Sequence, residues 1–280
     1  MAAFSYAKLL RSELSARNLE YARAQALRHH VSIGGEPVVC YEAGEDVHGN
    51  FLPATYRAIL KNDNWGRRLR KPHTSAAQVF VRDGVRRKEL DSSTSSDALL
   101  MNVFCYPGTL REALVLRLLE VERGAKVEFG YRARVPLANG RVDRTEVDMR
   151  VGDLLVEAKL TEADFQKKAK AVVEGYRDFE VVFESESLPQ SGECYFSYQL
   201  IRNVLAAHAS GCAFCVIMDE RRPDLRGQWY AVMRCIRVHD LQMRCRMLTW
   251  QEISALTPRT LQNFLQDKYG ISGATTLGNS

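Results

Sequence analysis

From Phe4 to Arg28 the chain has no Gly or Pro, is rich in Ala, Leu, Arg and Glu, and returns apolar residues at helical spacing, as at Leu9, Leu10, Leu14 and Leu19. That pattern predicts a helix. Between Val31 and Leu90 the apolar runs are short and broken by Gly34-Gly35, Gly44, Gly49, Pro53, Gly66, Pro72 and Gly84, which predicts an irregular region with brief helices or strands. The hydroxyl-rich run Asp91-Ser-Ser-Thr-Ser-Ser96 offers Ser95 or Ser96 as the cap of a helix through Phe104, and a second amphipathic helix is expected from Thr109 to about Val121.

The period then shortens to that of strands. Lys126 to Val135, Arg144 to Val151 and Leu154 to Leu160 read as three successive strands. Beyond them the expected order is a helix from Glu162 to Tyr176, a loop from Ser187 to Cys194, an apolar helix from Tyr195 to Ala209 and a buried strand from Cys212 to Met218. A helix from Asp224 to Ile236 and a strand from Gln242 to Leu248 follow. Thr249-Trp-Gln-Glu252 has the spacing of a capping box, and Thr257-Pro258 supplies a cap and a favoured first helical residue, so two short helices should close the fold before a tail that begins at Gly270.

Composition changes this picture little. With 46% hydrophobic and 26% charged residues in 280, the chain is an ordinary globular protein able to bury a core. No apolar run approaches the ~18 residues of a membrane span and no secretory leader is visible, so no membrane partner and a cytoplasmic location are expected. Seven scattered cysteines fit a reduced protein, and Cys212 and Cys215, although spaced as CxxC, lie in an apolar run with no second ligand pair to complete a zinc site.

Charge is more informative in its placement than in its sum. The net value is +5, but Arg57, Lys61, Arg67, Arg68, Arg70, Lys71, Arg82, Arg86, Arg87 and Lys88 face only Asp63 and Asp83 within one segment. That block, with Trp65 and His73 among it, has the chemistry to neutralise phosphates and stack on bases, or to form a solvated surface. Arg67, Arg68, Arg70 and Lys71 are its candidate nucleic-acid contacts.

The candidate chemistry lies in Thr145-Glu-Val-Asp-Met-Arg-Val-Gly-Asp-Leu-Leu-Val-Glu-Ala-Lys159. Gly152-Asp153 suits a two-residue hairpin turn with Gly first, and the register this imposes sets Val151 against Leu154, Asp148 against Glu157 and Glu146 against Lys159. These four polar residues then share one face, with Val147, Met149, Val156 and Ala158 on the other. Two opposed carboxylates repel, and a divalent cation between them removes the conflict; Mg²⁺ or Mn²⁺ takes one or two carboxylates and completes its shell with water and phosphate oxygens. Asp148 and Glu157 are the candidate metal ligands. Lys159 is placed to orient or deprotonate a water and to balance phosphate charge. The alternative is a ladder of ion pairs on an exposed sheet face.

Asp148 followed by Glu157-Ala-Lys159 resembles the signature of PD-(D/E)XK nucleases. More narrowly, Asp143-Arg-Thr-Glu-Val-Asp148, Val156-Glu-Ala-Lys-Leu-Thr-Glu162 and Tyr198-Gln-Leu-Ile-Arg-Asn203 resemble the PGN_0703-like branch, over about Ser95 to Trp250. The resemblance implies an α/β fold with a restriction-endonuclease-like core, αβββαβ, on a mixed central sheet, preceded by an added helical and irregular region. Domains of 1–90, 91–270 and a tail of 271–280 follow from that reading. It also implies a nuclease that hydrolyses phosphodiester bonds of nucleic acid, DNA above RNA, with Mg²⁺ or Mn²⁺ on Asp148 and Glu157 and with Lys159 serving the water. Homodimerisation is compatible with it. Gln199 is a further candidate catalytic residue and Arg202 a further phosphate contact, three apart on one helix. Asp97, Glu112 and Glu120 compete to add an acid from the first helix, and Glu162 is a lesser candidate. The rival reading is a catalytically silent relative that binds nucleic acid or a protein partner.

Overall fold

The computed structural model describes residues 4–32, 36–72 and 88–273. In chain order its main elements are α1 (Tyr6–Ala24), α2 (Ser96–Phe104), β1 (Val127–Arg132), β2 (Glu146–Val151), β3 (Leu154–Ala158), α3 (Tyr198–Ser210), β4 (Ala213–Met218), α4 (Pro223–Met233), β5 (Cys245–Thr249) and α5 (Arg259–Tyr269). The chain divides into two compact units, one built from the chain up to Gly124 together with the chain from Thr249, the other from Ala125–Leu248.

In the first unit Ser5 caps α1 by accepting from the Lys8 amide, and α1 buries Leu10, Leu14, Asn18 and Ala22, one residue per turn. Leu9, grouped with this stripe by sequence, is exposed because it sits one position off it. Asn18 holds α5 in place: its Oδ1 accepts from the buried Lys268 ammonium at 2.7 Å, and that ammonium lies 3.8 Å from the Tyr41 ring centroid. Burial pushes the Lys268 pKa well below its ordinary value. Ser95 caps α2 through the Ala98 amide, and Thr249 and Glu252 form the reciprocal capping box that the sequence predicts.

The second unit is built on a five-stranded sheet in the order β5-β4-β3-β2-β1, with β1, β2 and β3 antiparallel and β4 parallel to β3. The α/β class and the mixed central sheet are therefore as expected. Every residue of β3 is buried, as befits a central strand with a continuous apolar run. On one face Leu155, Phe214 and Val216 pack with Leu200, Ile201 and Val204 of α3, each such side chain contributing about 1.5–3 kcal/mol on burial. Along β2 Val147, Met149 and Val151 are buried and alternate with the less buried Glu146, Asp148 and Arg150, as the period of a strand predicts, and Val147 also belongs to this cluster.

One segment departs from the sequence pattern. Where a helix was expected from Glu162 to Tyr176, Lys167–Ala169 instead forms a strand against Cys194–Phe196, and only Lys170–Val173 is helical. Cys194–Phe196 pairs in turn with Gln190–Ser191, so part of the expected loop from Ser187 to Cys194 and the first two residues of the helix expected from Tyr195 belong to a small three-stranded sheet. Long-range pairing outweighs helical propensity there. The amides of Tyr198 and Gln199 donate to the carbonyls of Gln166 and Phe165, which tethers this segment to the start of α3.

The tight turn between β2 and β3 requires its glycine. Gly152 has φ +55°, and a Cβ there would lie 3.4 Å from the Ala125 Cβ. Gly152→Ala is expected to cost about 1–2 kcal/mol, chiefly from the left-handed backbone, as measured by urea unfolding.

Candidate active site

The β2–β3 ladder pairs Val151 with Leu154, Arg150 with Leu155 and Met149 with Val156, the register that the Gly152-Asp153 turn predicts. One step further in that register Asp148 faces Glu157. The paired ladder stops at Met149 and Val156, and beyond it the Asp148 carboxylate takes the place of a backbone partner: its Oδ2 accepts from the Ala158 amide at 2.8 Å. Glu146 and Lys159 part company, since Glu146 is exposed and pairs weakly with Arg132 of β1 at 3.8 Å, whereas the Lys159 amide donates to the Ile217 carbonyl of β4.

Glu157 and Lys159 are 2% and 4% exposed, which removes the picture of an ion-pair ladder on an exposed face. The Lys159 Nζ donates to Glu157 Oε1 at 2.6 Å, and the Asn203 Nδ2 of α3 donates to Glu157 Oε2 at 2.8 Å, so each carboxylate oxygen has a donor. The Lys159 ammonium also lies 5.5 Å from the Phe165 ring centroid. Burial alone would lower the lysine pKa; the charges of Glu157, Glu162 and Asp148 and the bond to Glu157 outweigh it and raise the pKa above the ordinary 10.5. Lys159 is thus an ammonium at neutral pH, in the field of three carboxylates. Glu162, the lesser candidate, accepts from the Leu160 amide at 2.6 Å.

The family model described as Restriction Endonuclease associating with ARP matches residues 8–270. The chain belongs to this REase-ARP family. Its fold is restriction-endonuclease-like, and membership assigns it to the nuclease class. No curated protein and no solved structure matches the chain. The match also reaches far ahead of Ser95, where the sequence motifs begin, so the N-terminal region is part of the family's common chain.

The other candidates of the REase-ARP chain divide clearly. Arg202, read from the sequence as a phosphate contact, is buried: its Nε donates to Asp143 Oδ2 at 3.2 Å, one terminal nitrogen donates to the Thr145 carbonyl, and the other donates to Asn203 Oδ1 at 3.0 Å. The pKa of its partner Asp143 lies below the ordinary value: desolvation pushes the carboxyl up, but bonds from Thr145 and Tyr176 and the Arg202 charge outweigh it. Gln199 lies in the first turn of α3, half-buried, and among the described residues its Oε1 is buried with no hydrogen-bond partner. Asn203 was missed by sequence reading. The signals available were its place one turn after Gln199 on the same helix and at the end of the motif Tyr198-Gln-Leu-Ile-Arg-Asn203.

In the first unit Arg67 and Arg70 are exposed, whereas Arg68 and Lys71 donate to Asp97 Oδ2 at 2.7 and 3.4 Å. Asp97 is therefore already occupied by two cations, and Glu112 and Glu120 are exposed residues at the two ends of the helix Ala113–Leu119. Arg82, Arg86, Arg87 and His73 lie outside the described residues. All seven cysteines are free thiols, with Cys212 and Cys215 buried.

Removing one partner of a buried pair strands the other charge. Lys159→Met is expected to destabilise the protein by roughly 3–5 kcal/mol at neutral pH. Because the Lys159 pKa is raised, the stabilisation is complete below the ordinary lysine value of 10.5 and is lost as pH rises beyond it, so the wild-type advantage in denaturant unfolding should be flat through neutrality and shrink only in strong alkali.

Proposed function

We propose that this REase-ARP protein is a PD-(D/E)XK-type nuclease that hydrolyses phosphodiester bonds of nucleic acid, with DNA as the favoured substrate, using Mg²⁺ or Mn²⁺ held by Asp148 and Glu157. The observation that carries the proposal is the convergence of Asp148, Glu157 and Lys159 where β2 and β3 part, with the Lys159 ammonium bonded to Glu157 at 2.6 Å. The donor set suits such a cation: hard carboxylate oxygens, with no group of three His, Cys, Asp or Glu among the described residues that would form an all-protein cage. Mg²⁺ takes one or two carboxylates and leaves its other positions to water and phosphate. When bound, the ion would supply charge stabilisation to the phosphate and lower the pKa of a water.

The chain's own residues do the rest. Asp148 is oriented by the Ala158 amide and Glu157 by Asn203, so both carboxylates are held before substrate arrives. Lys159, carrying its proton, acts as a hydrogen-bond donor and positive charge toward the phosphate and the attacking water rather than as the base. The exposed Arg67 and Arg70 are the better phosphate contacts of the basic block, and Arg68 and Lys71 serve Asp97 first. The narrower kinship with the PGN_0703-like branch rests on the motifs around Asp148, Glu157 and Asn203. A partner role follows from the family's description, which has it associating with ARP.

Plasmid, linear duplex, single-stranded DNA and RNA, each with and without Mg²⁺ or Mn²⁺, test the activity. Metal-dependent cleavage is expected for the wild type, with Asp148→Asn and Lys159→Ala each slower by at least ~10²-fold, the scale of losing one electrostatic group at a reacting phosphate. Metal-independent cleavage, or full activity in both variants, would assign the chemistry elsewhere; binding without cleavage under every condition would favour the silent relative.

The metal should also raise the melting temperature of the wild type, and Asp148→Asn should remove that response. Reversing the charge of Arg67 and Arg70 is expected to weaken nucleic-acid binding for all sequences and to flatten its salt dependence by about one unit of slope per lost phosphate contact. An unaltered slope would make the block an ordinary solvated surface.

A further inference from the structure

Arg202, which the sequence offered as a phosphate contact, and Asn203, which it offered for no role, lie side by side on α3. Both are 2% exposed. Each makes bonds that leave the other little freedom. An asparagine amide can be turned either way round, with its oxygen and nitrogen exchanged, unless its neighbours discriminate between them. Here they do. The Arg202 guanidinium has only donors, so it requires the Asn203 oxygen on its side at 3.0 Å, and that leaves the amide NH₂ pointing to Glu157 Oε2 at 2.8 Å.

Arg202 is fixed in its turn. Its Nε bonds Asp143 Oδ2, and its remaining nitrogen bonds the Thr145 carbonyl, immediately before β2 begins. Asp143 is held independently by the Thr145 amide and hydroxyl at 2.8 and 2.6 Å and by the Tyr176 hydroxyl at 2.7 Å. A continuous chain of bonds thus runs from the segment leading into β2, which carries Asp148, through Arg202 and Asn203 to Glu157 on β3, and on to Lys159. The sheet ladder cannot do this work at that point, because β2 and β3 cease to pair at Met149 and Val156.

We infer that Asn203 is a positioning residue for the Glu157 carboxylate, oriented by Arg202, and that the two replace the missing backbone ladder in setting the spacing of the Asp148 and Glu157 carboxylates for a divalent cation. This rests on the metal-dependent reading above. Lys159 already occupies Oε1, so Asn203 decides how the carboxylate is rotated about its bond to Lys159. Partners of this kind, bonded to a ligand rather than to the ion, typically contribute 10–100-fold to metal affinity. Neither Asn203 nor Arg202 needs to touch nucleic acid for this role.

Calorimetric titration of the full chain with Mn²⁺, in the absence of nucleic acid, is the direct test. Asn203→Ala is expected to weaken Mn²⁺ binding by about 10–100-fold, and to lower kcat for cleavage at saturating metal while leaving KM for nucleic acid near the wild-type value. Asn203→Ser keeps a hydroxyl donor in a smaller side chain and should fall between the two; it also decides the matter if the alanine variant does not fold. A purely structural role would lower the melting temperature of these variants but leave their Mn²⁺ affinity unchanged, and that result overturns the inference while leaving the nuclease reading intact. A wild type that binds no Mn²⁺ overturns both.

Discussion

A carboxylate and an ammonium, both almost completely withdrawn from water, sit side by side at the end of the central strand, and the arrangement of the second unit answers to the need to keep them satisfied. Desolvating Glu157 and Lys159 is costly, and their attraction offsets that cost only when the geometry is good and the remaining lone pairs are filled. Lys159 fills one oxygen of Glu157 and Asn203 the other. For Asn203 to be there, α3 must pack on the sheet face that carries Leu155, and the cluster of Leu200, Ile201 and Val204 against Phe214 and Val216 fixes it in that place. The apolar core and the polar site are thus consequences of one helix position.

The same requirement explains the local behaviour of β2 and β3. A hairpin that remained paired to its end would set the Asp148 and Glu157 side chains directly against each other along a regular ladder, with repulsion and nothing to relieve it. Instead the ladder ends one residue early and Asp148 turns to the Ala158 amide. Carboxylates that accept from a backbone amide, an asparagine and a lysine are held in place with no cation between them. That is the physical sense in which the site is preorganised.

The first unit contains its own buried cation, and the contrast with Lys159 is instructive. Lys268 meets amide and carbonyl oxygens and three tyrosine rings, and its pKa falls; Lys159 meets carboxylates, and its pKa rises. Comparable burial leads to opposite pKa shifts because the neighbours differ. In the basic segment, too, neighbours decide roles: Arg68 and Lys71 are drawn to Asp97, while Arg67 and Arg70 remain at the surface.

Local chemistry was legible in the sequence wherever one short segment suffices to determine it. The Gly152-Asp153 turn implied the hairpin and its register, the run of Leu154 to Val156 implied a buried strand, and Ser95 and Thr249 announced their helix caps. Asp148, Glu157 and Lys159 could be grouped because they lie within one hairpin, where period and turn fix neighbours. What required the tertiary structure involves residues far apart in the chain. The strand at Lys167–Ala169 exists only because Cys194–Phe196 lies beside it, against the helical tendency of its own sequence. Arg202 is an inward anchor rather than a surface cation because Asp143 and Thr145, nearly sixty residues earlier, are within its reach. Asn203 touches Glu157 across forty-six positions. Periodicity tells which face a residue occupies, but the partner it finds there is set by how helices and strands distant in sequence are packed.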